Sequence, residues 1–202
     1  MTLIGKHRIT RKAVCVKVIP KNVIKTSNSP ELTEIAMLQA LESRHLTGIQ
    51  KFVEAIEEDT NIYLVTQLMN AGDLQSALQS SSCPYICEEK LLKPLRSILE
   101  ALATIHSLGY IHNDIQPNSI LLHCESDKTY RAVFSTLSSC SRATATSQDA
   151  GPSLVNDFSC MYAAPEIIDS NGKSRSHAND VWSLGVLLYA VACGRMPFAN
   201  LE

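Results

Sequence analysis

The sequence predicts an α+β fold, with a small β-rich lobe carrying one helix ahead of a larger, mainly helical lobe. Three stretches carry that expectation. "KAVCVKVI" (12–19) alternates and is rich in β-branched residues, so it reads as a strand. "SNSPELTEIAMLQALES" offers Ser29 as a helix N-cap, Pro30 at the first helical position, and Leu32, Ile35, Leu38 and Leu41 at helical spacing. "EEKLLKPLRSILEALATIHSLG" sets Leu91, Leu92, Leu95, Ile98, Leu99, Leu102, Ile105 and Leu108 on one helical face, which Gly109 ends.

The elements between them follow from the same signals. Two strands, "IQKFVEAIEE" (49–58) and "NIYLVTQLM" (61–69), meet at the turn-forming "DTN" and complete the β-rich part. Pro94 should kink or shorten the long helix, because proline lacks the donor for the helical ladder. "STLSSCSRATATSQDAGPS" (135–153) is poor in apolar anchors and reads as a mobile loop. The apolar run "VWSLGVLLYAVAC" (181–193) falls short of the ~20 residues that span a bilayer, and reads as a buried helix.

Composition narrows the function classes. A chain of 202 residues that is 45% hydrophobic and 19% charged can bury a substantial core. Its formal net charge of -2 and scattered basic residues argue against nucleic acid or a membrane surface as partner. The N-terminal "MTLIGKHRIT" has neither the apolar core nor the cleavage site of a secretory signal, so a cytoplasmic protein is expected. Seven cysteines, widely spread, read as free thiols, and the C-x3-C pair Cys83/Cys87 has no second pair to complete a zinc site.

The chemistry concentrates in "GYIHNDIQPNSILL" (109–122), where His112, Asp114 and Pro117 stand in a polar turn between apolar runs, the second run reading as a short buried strand. One Asp in one polar turn is more often a cap or a solvated residue than a catalyst. Its neighbours change that balance. "IHNDIQPNSILL" resembles the catalytic loop H-R-D-L-K-P-E-N of eukaryotic protein kinases, "YAAPEII" (162–168) resembles their A-P-E motif, and "NDVWSLGVLLYAVACGRMPF" (179–198) resembles the buried helix that follows. Upstream, "AVCVKVI" resembles the V-A-I-K strand, "TEIAMLQAL" the helix that carries the paired Glu, and "NIYLVTQLMNAGDL" the strand and hinge along the adenine. The wording of the later motifs is similar to the calmodulin-dependent and AMP-activated Ser/Thr kinase branch.

The resemblance implies a bilobal protein-kinase-like fold, incomplete at both ends: a partial N-lobe over 1–70 beginning after the Gly-rich loop, and a partial C-lobe over 71–202. It implies Asp114, Lys17 and Glu34 as catalytic residues, Lys17 holding phosphates and pairing with Glu34, and Asp114 accepting the substrate hydroxyl proton. Cys15, Lys17, Thr66, Gln67, Leu68, Met69 and Leu121 would line the nucleotide site, with Cys15 narrowing it, and Asp180 would cap the catalytic loop from below. The bland alternative for Lys17 and Glu34 is a surface ion pair, worth ~0 to 1 kcal/mol.

The pattern then breaks. Phe134, Ser135 and Thr136 stand where D-F-G is expected, so the metal-binding carboxylate is lost, and Ser119 stands for the catalytic-loop Asn. A hydroxyl is a poorer ligand for a hard cation. Gln116 replaces a Lys, and Asn113 replaces the Arg that reads activation-loop phosphorylation. Ser135 in place of the D-F-G Phe should leave a void in the column between His112 and Leu38. Glu166 would lack its family Arg partner.

The expected protein is therefore a pseudokinase that acts through a protein partner, with no metal ligands, magnesium not expected and ATP bound weakly if at all. The alternative is a weakly active Ser/Thr kinase, and a bland third reading is a relic of kinase ancestry without a present role.

Overall fold

The computed structural model describes residues 1–26, 29–80, 88–127, 129–143 and 160–198. A four-stranded antiparallel sheet opens the chain: β1 (Thr2–Lys6), β2 (Ala13–Pro20), β3 (Phe52–Glu57) and β4 (Asn61–Gln67), in the order β1-β2-β4-β3. β1, unforeseen in the sequence, is an edge strand with exposed Leu3 and Ile4 and little apolar periodicity to reveal it. Helix α1 (Pro30–Glu42) crosses between β2 and β3 with Ser29 at its N-cap and Pro30 in its first turn, as the sequence indicated. The Ser29 hydroxyl nevertheless donates back to the Thr26 carbonyl at 2.6 Å and does not bond the helix N-terminus. Met37, Leu38 and Leu41 turn inward, together with the carboxylate of Glu34.

Two helices follow, α2 (Leu74–Ser80) and α3 (Glu88–Ser107). α3 runs through Pro94 without ending there, so the expected shortening does not occur. Leu95, Ile98, Ala101, Leu102 and Ile105 are buried on its inner face. Leu99, predicted on that face, is exposed: the buried residues centre near Ile98, and the next residue along a helix is turned about 100° from it, which puts Leu99 at the edge of the buried arc. The side chains of Leu91 and Leu92 lie outside the described residues.

Gly109, at φ 77°, turns the chain out of α3, a left-handed conformation that favours glycine. Short antiparallel pieces then frame the polar turn. β5 (Tyr110–Ile111) pairs with β8 (Ser141–Arg142), and β6 (Ile120–Cys124) pairs with β7 (Tyr130–Phe134). The predicted loop over 135–153 is corrected in its first part, because Leu137 and Cys140 are buried and β8 is paired; residues 144–153 lie outside the described residues.

α4 (Pro165–Asp169) and α5 (His177–Cys193) close the described chain. The expectation of a buried helix holds for one face of α5 only. Leu184, Val186, Leu187 and Val191 are inside, while Val181, Trp182 and Tyr189 are exposed, and Trp182 stacks on Phe198 at 5.6 Å.

A single buried cluster runs from Ile19, Met37 and Leu38 through Ile49, Leu74, Ile98 and Phe134 to Leu187 and Val191, so the sheet, α1, α3, the β6–β7 hairpin and α5 share one core. Gly48 makes one junction of that core possible. A Cβ there would lie 1.9 Å from the Ser97 carbonyl oxygen on α3, and the Gly48 carbonyl accepts the Phe134 N–H at 3.0 Å. Among the described residues, no helix is long and apolar enough to cross a membrane, and Cys15, Cys124, Cys140, Cys160 and Cys193 are free thiols. Cys83 and Cys87 lie outside the described residues.

Candidate active site

Lys17 projects from β2 and Glu34 from α1, and the structure joins them at 2.6 Å. Glu34 is 3% exposed and Lys17 37%, so the surface-pair alternative fails: a carboxylate this deep needs charge-assisted partners to offset its desolvation. Glu34 finds two more of them. Its second oxygen accepts the Thr136 hydroxyl at 2.6 Å and the Leu137 N–H at 3.3 Å.

The residues expected along a nucleotide lie on β2, at the end of β4 and on β6. Cys15 and Thr66 stand opposite each other in the β2–β4 ladder. Burial raises the Cys15 thiol pKa, against smaller opposing effects of the Thr66 side chain and of the Lys17 charge. Gln67, Leu68 and Met69 are half-buried at the end of β4, where Gln50 donates to the Gln67 carbonyl at 3.1 Å. Leu121, also half-buried, sits on β6 opposite Val133 and bridges to Asp73.

The polar turn is built around Asp180. From α5, buried at 2% exposure, its carboxylate accepts the N–H groups of His112 (2.7 Å) and Asn113 (2.9 Å), and it lies 2.7 Å from His106 Nε2 on α3. Asn113, at φ 65°, tolerates the left-handed conformation better than most residues, and its side chain donates to the Ser139 carbonyl (2.8 Å) and the Ser141 hydroxyl (2.9 Å). The turn therefore presents Asp114 half-buried, with the Gln116 side-chain amide donating to it at 2.5 Å.

The residues at the two metal positions do not fit a divalent cation. Magnesium takes oxygen donors in near-octahedral geometry and prefers carboxylates. Phe134 ends β7 with its ring 1% exposed, packed 4.2 Å from the His112 ring. Ser119 spends its hydroxyl inside the loop, on the carbonyls of Asp114 (2.7 Å) and Gln116 (2.8 Å), while accepting the Gln116 N–H. Asn118, one residue earlier, is exposed. Among the described residues, no group of three or more His, Cys, Asp or Glu side chains is placed to hold a metal.

Phe134 also corrects the expected void. The sequence frame put Ser135 where an aromatic ring should back His112, but strand register turns Phe134 inward, and it fills that place alongside Leu38 in the common core. Thr136, Ser119's internal bonding and the Asn113 contacts were missed by sequence reasoning; the only signal was that each replaces a residue of different chemistry. Glu166 of the A-P-E stretch accepts the Asn179 side-chain amide at 2.6 Å, a pairing also unforeseen.

The pattern of the protein kinase domain matches residues 2–202. This chain belongs to the protein kinase family. The kinase domain is 30% identical over 196 residues to the maternal embryonic leucine zipper kinase of Danio rerio, with 96% of this chain and 27% of that protein covered. It is 31% identical over 190 residues to CDPK-related kinase 5 of Arabidopsis thaliana (92% and 29% covered) and 32% identical over 199 residues to CDPK-related kinase 8 of the same plant (96% and 30% covered). These likenesses agree with the calmodulin-dependent and AMP-activated branch suggested by the motif wording. The chain spans less than a third of the length of these relatives.

Proposed function

We propose that this kinase domain is a pseudokinase, acting by binding a protein partner and not by transferring the ATP γ-phosphate. One observation carries the reading: the position expected to supply the metal-binding carboxylate is Phe134, whose ring is committed to the core against His112. Phosphoryl transfer asks a protein mainly to position the reactants and to neutralise charge building on the phosphoryl oxygens. Losing ~4 kcal/mol of that stabilisation costs on the order of 10³ in rate. Ser119 and Gln116 add to the loss, the first internally bonded and the second a neutral amide in place of a cation.

Lys17, Glu34 and Asp114 are retained, which favours as second reading a weakly active Ser/Thr kinase. A paired assay decides. In the pseudokinase reading, purified protein incorporates no more phosphate into itself or a general substrate than its Asp114→Asn variant does, and ATP raises its Tm by the same small amount with or without magnesium. Incorporation abolished by Asp114→Asn, or a large metal-dependent rise in Tm, establishes the kinase instead.

A further inference from the structure

The side chains around Glu34 accomplish something a ligand is not needed for. We propose that Thr136 is a built-in latch, a side-chain bridge that holds α1 and the Lys17–Glu34 pair against the larger lobe without nucleotide, metal or phosphorylation.

The bridge spans a sequence separation of 102 residues, from α1 to the segment after β7. A hydroxyl has one proton to give. An ionised carboxylate can only accept, so the 2.6 Å contact commits the Thr136 proton to Glu34, while Thr136 Oγ1 accepts the Ser138 N–H at 3.1 Å and lies 2.9 Å from the Ser138 hydroxyl, which has its own proton to give. The Leu137 N–H adds a second donor to the same oxygen.

The far end of the bridge is fixed. Ser135 donates its N–H to Ser119 O at 2.9 Å, and the Phe134 ring lies on His112, both within the larger lobe. Farther along, Asn113 ties the segment again through Ser139 and Ser141, with neutral bonds in place of a charged one. Where the resembled motif has glycine, no side chain exists to make the Thr136 contact. Glu34 is therefore held from both lobes by groups of this chain alone.

Amide hydrogen exchange tests the latch. In the wild-type protein without ligand, the core of α1 should exchange as slowly as β6 and β7, opening only with global unfolding, and added MgATP should not slow it. Thr136→Val removes the hydroxyl and keeps the branch at Cβ; it should speed exchange across α1 about tenfold or more while β6 and β7 change less. Thr136→Ser, which keeps the donor, should restore wild-type exchange.

Three results overturn the proposal: α1 exchanging far faster than β6 and β7 in the ligand-free wild type, α1 becoming protected only when MgATP is added, or Thr136→Val leaving α1 as protected as before. The first two need no variant, so the proposal remains testable if Thr136→Val fails to fold.

Discussion

At the scale of single residues, the site is organised by buried carboxylates that accept more than one donor. Asp180 takes two backbone N–H groups and faces His106, so Asp180→Asn sets an amide NH2 against at least one donor in the same buried space. An orphaned buried donor costs ~1 to 3 kcal/mol, and urea denaturation should show Asp180→Asn less stable by about 3 kcal/mol. A loss below about 1 kcal/mol would show that the catalytic loop holds itself. Lys17, Glu34, Asp114 and Asp180 were legible in the sequence because each stands at an unchanged position of a familiar motif. Phe134 was legible as a lost carboxylate but not as the ring backing His112, since a single-residue difference in which side chain faces inward is decided by strand register and not by motif spacing.

At the scale of elements, two glycines separate a steric demand from a conformational one. Gly48 lies where the loop after α1 passes α3, and any Cβ there collides with backbone, which cannot move aside as a side-chain tip can. Gly48→Ala should destabilise by about 3 kcal/mol. Gly109→Ala meets nothing within 4 Å and is strained only by φ 77°, so about 1 kcal/mol is expected. Guanidinium denaturation of both variants checks the order, and a Gly109 loss exceeding the Gly48 loss would contradict it. α1, β2, β4 and most of α3 could be read in advance because each has a long apolar period. β1, β5 and β8 could not: β1 is exposed, and β5 and β8 have two residues each, too few to show a period even though Ile111 of β5 is buried. The Leu99 error has the same root: a continuous leucine-rich run does not say where the edge of its buried stripe lies.

At the scale of the whole molecule, the pH dependence of stability should be a plateau bounded by two groups buried near the catalytic loop. His112 is wholly buried, and burial lowers its pKa below the usual 6.5, against smaller opposing effects of Asp180 and Asp114. The unfolded chain then binds a proton that the folded chain refuses. Stability from this group is complete above about pH 6.5 and declines as pH falls below it, by at most about 1.4 kcal/mol per pH unit. Cys140 bounds the other side. Burial, reinforced by Asp180, Glu34 and Asp114, raises its thiol pKa above the ordinary 9.0, so the unfolded chain gives up a proton that the folded chain keeps. That contribution declines as pH rises above about 9. His112→Phe keeps an aromatic ring against Phe134 and should flatten the acid slope between pH 5 and 6.5 while leaving the alkaline slope alone. Cys140→Ala should reduce the alkaline slope, leaving the part supplied by the raised pKa values of Cys15 and Tyr162, and should leave the acid slope unchanged. Tm measured across pH 5 to 10 for the three proteins tests both assignments at once, and an acid slope unchanged in His112→Phe would move that titration to another histidine.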